Sequence, residues 1–267
     1  MADLKYLRYK SLETGFGLNY ISKEEKLSLL LYDLSTLLTD KFIIKGGTAL
    51  NRAYLINKGL SRFSEDIDID YIAEKKFDEK IKDTAKIMDK IKSFDVAKSR
   101  LMNKTLRYDC YYINELNHKD RIQVEFYLAH DKIICQQQPG KKTLKSSFIE
   151  SQLAYLRVYS FEDLFARKII ACLNRMEGKD IYDLFYCFEV NFDKKTLKKA
   201  IVKIAEFYGL PGNAKEIIIK LIQKLNSVEN QYYIGTSTNH FIPRNLRPDW
   251  KIIIISLADK LKLNLLL

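Results

Sequence analysis

The sequence predicts an α+β protein: a small mixed α/β unit followed by a helical unit. Two patterns carry that expectation. Up to about Tyr159, short runs rich in Ile, Val, Tyr and Phe alternate with helix-period segments. Beyond it every periodic segment is helical, so strands stop where helices begin. The expected division is 1–155 and 156–267, within a soft zone from Pro139 to Ser160. A chain of 267 residues fits one large domain or two modest ones.

The elements follow in order. Leu27, Leu30, Leu31, Leu34, Leu37 and Leu38 recur at helical spacing over Ser22–Thr39, and Ser22 before Glu24 and Glu25 reads as a start signal. Phe42–Lys45 is a short apolar strand. Gly46-Gly47 turns into a helix over Thr48–Asn57, which Lys58-Gly59 ends. Asp66–Ile72 reads as a strand and Lys75–Ile91 as a polar helix. Thr105–Ile113 and Arg121–Leu128 read as strands joined by a hairpin loop, Asn114–Asp120. Phe161–Arg175, Ile181–Glu189, Lys194–Tyr208, Ala214–Leu225 and Asp249–Leu261 read as helices. Gly178, Asn191 and Pro211-Gly212-Asn213 punctuate them.

Composition narrows the classes. Hydrophobic residues are 47% and charged residues 30%, which suits a packed core rather than disorder. Lys and Arg number 45 against 34 Asp and Glu, a net charge of +11. From Ser151 onward 18 basic residues meet 12 acidic ones, so the surplus is spread along the chain. Such a surplus favours a polyanionic partner or substrate, or reflects a lysine-rich proteome. Cys110, Cys135, Cys172 and Cys187 form no C-x-x-C pair, which argues against a disulfide framework. His118, His130 and His240 are scattered, which argues against zinc. Met1–Lys10 carries charges throughout, and Ile252–Leu267 is interrupted by Asp259, Lys260 and Lys262. The expectation is therefore a cytoplasmic protein with no membrane segment.

Two strings carry chemistry. Ser64-Glu65-Asp66-Ile67-Asp68 places Asp66, Asp68 and the following Asp70 on one face of a strand. Asp is a poor strand former, and like charges on one face repel unless a cation lies between them. Either the face is solvated, or it holds a divalent ion such as Mg²⁺ together with substrate phosphates. Gly46-Gly47-Thr48 lies at a helix start, where backbone N–H groups and the helix dipole attract phosphate. Arg62 and Ser64, just before the acidic pair, either contact a triphosphate tail or form an ordinary turn. Glu125, in Val124-Glu125-Phe126, completes a two-metal carboxylate set if its strand lies beside Asp66–Asp70. Otherwise it is a solvent-facing strand residue. Asp109 is the weaker candidate for that place.

These strings resemble the DNA polymerase β-like nucleotidyltransferases, which carry a glycine pair at a helix start and D-x-D on the next strand. Lys45-Gly46-Gly47-Thr48-Ala49-Leu50 with Arg62-Phe63-Ser64-Glu65-Asp66-Ile67-Asp68 is similar to the AbiEii/AbiGii toxin branch, also called DUF1814. A second block agrees: Asp163–Lys168 with Arg175, then Lys179-Asp180-Ile181-Tyr182-Asp183-Leu184. The likeness spans about Ser22–Phe188. Two departures stand out: seventeen residues separate Thr48 from Asp66, and the third carboxylate is Glu rather than Asp.

On their own, Lys168 and Arg175 share a helix face, and Asp180 and Asp183 read as an ordinary salt-bridging pair. The resemblance instead makes Lys168 and Asp180 site residues. It implies a polymerase β-like domain followed by a helical bundle. It implies transfer of a nucleoside monophosphate from an NTP, with Asp66, Asp68 and Glu125 binding Mg²⁺ (or Mn²⁺) and Gly46, Gly47, Thr48, Arg62 and Ser64 holding phosphate. The implied setting is a toxin–antitoxin or phage-defence pair with a cognate antitoxin, and the acceptor an RNA such as a tRNA 3′ end. The rival readings are a nucleotide-binding regulator that transfers nothing and a basic nucleic-acid-binding module.

Overall fold

The computed structural model describes residues 3–228 and 231–267. Two helices, α1 (Leu4–Thr14) and α2 (Leu18–Leu37), lead into β1 (Phe42–Lys45) and α3 (Gly46–Ala53). Next come β2 (Asp66–Tyr71), α4 (Phe77–Met88), β3 (Asp95–Val96), β4 (Arg100–Met102), β5 (Thr105–Ile113), β6 (Lys119–Tyr127), β7 (Gly140–Leu144) and β8 (Ala154–Val158). Six helices complete the chain: α5 (Phe161–Arg175), α6 (Gly178–Cys187), α7 (Lys194–Phe207), α8 (Ala214–Asn226), α9 (Gln231–Thr238) and α10 (Trp250–Leu261).

Among the described residues the strands form one mixed sheet in the order β3-β5-β6-β2-β1-β8-β7, with β4 also beside β5. β2 runs antiparallel to β1 and parallel to β6. Period-2 alternation sorts the two faces. Ile67, Ile69, Val124, Phe126, Leu106 and Tyr108 are buried on one, where Phe42 stacks on Tyr71 with centroids 4.3 Å apart. Leu27, Leu30, Leu31 and Leu34 of α2 are fully buried, as their helical spacing foretold. The other face carries Asp66, Asp68, Glu125 and Arg107. The main core is continuous from Leu27 to Leu265 and draws on both the sheet and the later helices.

The α+β class, four of the strands and most helices match the sequence expectations. α5 has the expected bounds, helped by Ser160, whose hydroxyl accepts the Asp163 N–H at the helix start. The departures have local causes. α2 starts at Leu18, after Gly17, rather than at Ser22. Ser22 and Glu24 are buried and bond tertiary partners instead, Ser22 to Glu115 and Glu24 to Arg52 at 2.7 Å. The helix expected over Thr48–Asn57 begins earlier, at Gly46, and breaks at Tyr54. A 3₁₀ turn, Leu55–Lys58, follows and ends at left-handed Gly59. β3, β4, β7, β8, α1 and α9 had no place in the sequence reading. β7 is exposed along Gly140–Thr143, so it carries no apolar alternation to read. All four cysteines are free and buried. No described helix is long and apolar enough to cross a membrane.

Candidate active site

β1 passes into α3 without a loop, and the diglycine forms the first helical turn. Gly46 has φ +72°, and a Cβ there would sit 2.0 Å from Asp68 Oδ2. A Cβ on Gly47 would meet Arg62 Nη2 at 2.8 Å and Ser64 Oγ at 3.1 Å. Gly46 needs glycine for its left-handed backbone as well as for Asp68, whereas a side chain at Gly47 would have to displace the Arg62 guanidinium. α3 has no side-chain cap, so its first N–H groups lack intrahelical partners beside the cavity that Gly46 and Gly47 line. Thr48 is fully buried, and its hydroxyl donates to the Asp66 carbonyl at 2.5 Å. It ties α3 to β2, and only its backbone is left to meet a phosphate. Gly46→Ala is expected to abolish nucleotide binding in a folded protein, measured by calorimetric titration. Unchanged affinity would mean that the turn's backbone is not a phosphate contact.

The sheet register gathers the carboxylates. Asp68 lies opposite Lys45 on β1 and opposite Glu125 on β6, and Asp66 lies opposite Gln123. Asp66, Asp68 and Glu125 line one cavity of ≈ 270 Å³, with Ser64, Arg107, Lys168 and Arg175. Burial and the neighbouring Asp66 carboxylate push the Asp68 pKa up to about 7. Glu125 faces Arg107 on β5, whose Nε and Nη2 approach Oε1 at 2.8 and 2.5 Å. No group of three His, Cys, Asp or Glu among the described residues is gathered closely enough to hold a metal ion. The donor chemistry nonetheless fits a hard divalent cation. Asp66 and Asp68 share a strand face, and the absent Gly46 side chain leaves Asp68 open to the cavity. Glu125 lies opposite Asp68, and Arg107 engages it through Oε1.

Two other acidic residues are otherwise engaged. Asp70 shares the Asp66–Asp68 face but is fully buried, accepting from Lys45 Nζ at 2.5 Å and from the Tyr159 hydroxyl at 2.6 Å. Asp109, the weaker third-carboxylate candidate, lies opposite Gln123 and pairs with Arg100 at 2.6 Å and Arg121 at 3.4 Å. It stays outside the cavity because it sits one alternate position past Arg107.

Behind the cavity lies a buried ion network on α5 and α6. Lys168 Nζ is 2.9 Å from Asp180 Oδ1 and 2.8 Å from Asp183 Oδ2. Arg62 grips Asp183 through Nε at 2.9 Å and Nη2 at 2.6 Å, and Arg175 grips Asp180 through Nε at 2.6 Å and Nη2 at 3.1 Å. Burial opposes every one of these charges, but the opposite charges prevail: Asp180 and Asp183 are held below the usual carboxylate range, and Lys168 above the usual lysine value. Asp180 therefore orients Lys168 and Arg175, both of which line the cavity. Arg62 lines it too, but its Nη1 donates to the Phe63 carbonyl and its other donors face Asp183. It braces the wall more than it offers a free hand to a phosphate. Ser64 stands at the rim, its Oγ 3.5 Å from Asp66 Oδ1.

Sequence reasoning passed over Asn51, Arg107 and Lys45. Asn51 donates to the Gly47 carbonyl at 3.0 Å and to Asp183 Oδ1 at 3.1 Å, tying the glycine turn to α6. Its signal was its place four residues after Gly47 on one helix face. A second recess of ≈ 310 Å³ opens on the other side of Gly46 and Asp68. Leu164, Ile170 and Ala171 give it an apolar wall, and Lys45, Asn174 and Tyr208 give it polar groups.

A D-x-D strand beside an uncapped diglycine helix start, backed by oriented Lys and Arg, is the equipment of a nucleotidyltransferase. Solved structures agree on the fold. One is MenT4, a nucleotidyltransferase toxin from Mycobacterium tuberculosis H37Rv (TM-score 0.62, 16% identity, covering 98% of this chain and 90% of that one). Another is JHP933 from Helicobacter pylori (TM-score 0.57, 17% identity, covering 93% and 92%). Among curated proteins none matches the chain. The family model for the AbiEii nucleotidyl transferase toxin of type IV toxin–antitoxin systems matches residues 29–262. The chain belongs to that family, and it is a nucleotidyltransferase.

Proposed function

We propose that this protein transfers a nucleoside monophosphate from an NTP to the 3′ end of an RNA, such as a tRNA. In this reading it is the toxin countered by a cognate antitoxin. The observation that carries the reading is the Asp66–Asp68 pair against the Gly46 backbone. Residues 1–155 supply the carboxylates and the phosphate-facing turn, and residues 156–267 supply Lys168, Arg175 and the apolar recess.

Asp66 and Asp68, joined by Glu125, would hold Mg²⁺ or Mn²⁺. Such an ion would supply charge neutralisation during phosphoryl transfer. The Gly46 and Gly47 N–H groups bind phosphate oxygens. Lys168 and Arg175, fixed by Asp180, offset the charge of the departing pyrophosphate. The recess walled by Leu164, Ile170 and Ala171 takes the base, with Asn174 meeting its polar edge. The acceptor hydroxyl attacks the α-phosphorus in line. A new oxygen–phosphorus bond forms, the bond to the β-phosphate bridge breaks, and pyrophosphate leaves. The hydroxyl proton passes to solvent, or to Glu125 where that carboxylate stands as a base instead of an ion ligand.

The test incubates the protein with each α-labelled NTP, Mg²⁺ and total bacterial RNA, with EDTA as control. Label on RNA, lost with EDTA, is expected. Label on protein alone would overturn the RNA acceptor, and NTP binding without pyrophosphate release would favour a regulator.

A further inference from the structure

The β5–β6 hairpin continues the active-site face of the sheet beyond Glu125. Its register pairs run outward from the cavity as Arg107 with Glu125, Asp109 with Gln123, Tyr111 with Arg121, and Ile113 with Lys119. All of these side chains share the face of Asp66 and Asp68. β4 adds Arg100 beside Arg107. The outer members are open to solvent: the Arg100 and Arg121 side chains are 56% and 44% exposed, and Ile113 is 58% exposed. Lys119 Nζ lies over the Tyr111 ring, 4.4 Å from its centroid. At its outer end the strip meets a groove of ≈ 520 Å³ at the sheet edge, where Tyr111, Ile113 and Lys119 adjoin Lys26 and Leu29 of α2.

Four cations, Arg100, Arg107, Arg121 and Lys119, therefore stand along this face against three carboxylates, Glu125, Asp109 and Asp95, with an aromatic ring among them. From residue 107 to 113 the strip is about 20 Å long, at about 3.4 Å per residue. That is about the length of six stacked nucleotides of one strand, at about 3.4 Å each. Spaced cations with an interleaved ring are what single-stranded nucleic acid binds, phosphates to the charges and a base to the ring.

We infer that this hairpin face is the track for the single-stranded 3′ segment of the acceptor RNA, leading its terminal hydroxyl to Glu125. The inference rests on the RNA acceptor proposed above. Arg107 is the cation nearest the strand's 3′ terminus. An arriving phosphate offers Arg107 a replacement for Glu125, and so releases that carboxylate towards Asp66 and Asp68. Farther out, Arg121 and Lys119 hold phosphates and Tyr111 stacks a base.

The test compares the full chain with its Tyr111→Ala/Lys119→Ala/Arg121→Ala variant, none of these residues lying in the catalytic cavity. The probe is an unstructured RNA 20-mer, titrated over a salt series. Transfer from NTP is followed to the 20-mer and to a dinucleotide too short to span the strip. The variant is expected to bind the 20-mer at least tenfold more weakly. Its slope of log affinity against log salt should fall by about 1.4, two lost phosphate contacts at about 0.7 each. Transfer to the dinucleotide should be unchanged. Binding within twofold of the parent's, with the same slope, would overturn the track while leaving the RNA acceptor standing. An equal fall with the dinucleotide would also overturn it. A parent that neither binds nor labels RNA would remove the acceptor reading, and the track with it.

Discussion

Asp68→Asn is expected to lower nucleotidyl transfer by at least about a thousandfold, and Asp66→Ala/Asp68→Ala to leave only background. Divalent-ion catalysis supplies several kcal/mol, and each 1.4 kcal/mol or so is a factor of ten. A second signature separates this from misfolding. The Asp68 pKa is pushed up to about 7 by burial and by Asp66, so its ionised form is held at a disadvantage in the folded protein. Asn resembles the protonated carboxyl in shape and lacks the charge. At neutral pH without divalent ions, Asp68→Asn should melt no lower than the parent. Adding Mg²⁺ should raise the parent's melting temperature and leave the variant's unmoved. Activity retained above a tenth of the parent's would refute Asp68 as a catalytic ligand.

Asp183→Ala is expected to destabilise the fold by about 3–5 kcal/mol, the range for removing one partner of a buried ion pair. The reason is local. Asp183 is fully buried and bonds Arg62, Lys168 and Asn51, so its removal leaves those buried donors short of an acceptor. Chemical denaturation checks this, and a loss under about 1 kcal/mol would show that the cluster relaxes or hydrates.

The same network sets an acid limb. Asp180 and Asp183 have folded pKa values below their unfolded values near 4, so their contribution is complete above about pH 4 and lost as pH falls further. Lys168 and Arg175 are shifted upward, so their contribution is present below their unfolded pKa values and is lost only in strong alkali. Asp183→Asn should therefore flatten the stability curve below about pH 4.

Much of the site was legible because strand and helix periods are local. Alternation alone put Asp66 and Asp68 on one face, and the diglycine marked a helix start, which the fold sets at the cavity. Pairing was not legible. Nothing local states that β6 lies parallel to β2 with Glu125 opposite Asp68, or that β5 brings Arg107 onto Glu125. The same blindness made Asp70 look like a ligand and hid Lys45 and Tyr159 as its partners. Arg62 read as a phosphate contact because Asp183 lies 121 residues away along the chain.

The amino-acid order alone determined the α+β class, the acidic strand and the glycine turn, since those depend on neighbours within a few residues. The three-dimensional packing decided which charges are free and which are bound. Burial makes an unpaired charge intolerable, so the partners that neutralise Asp70, Asp180 and Asp183 were chosen by contacts that only the folded chain creates.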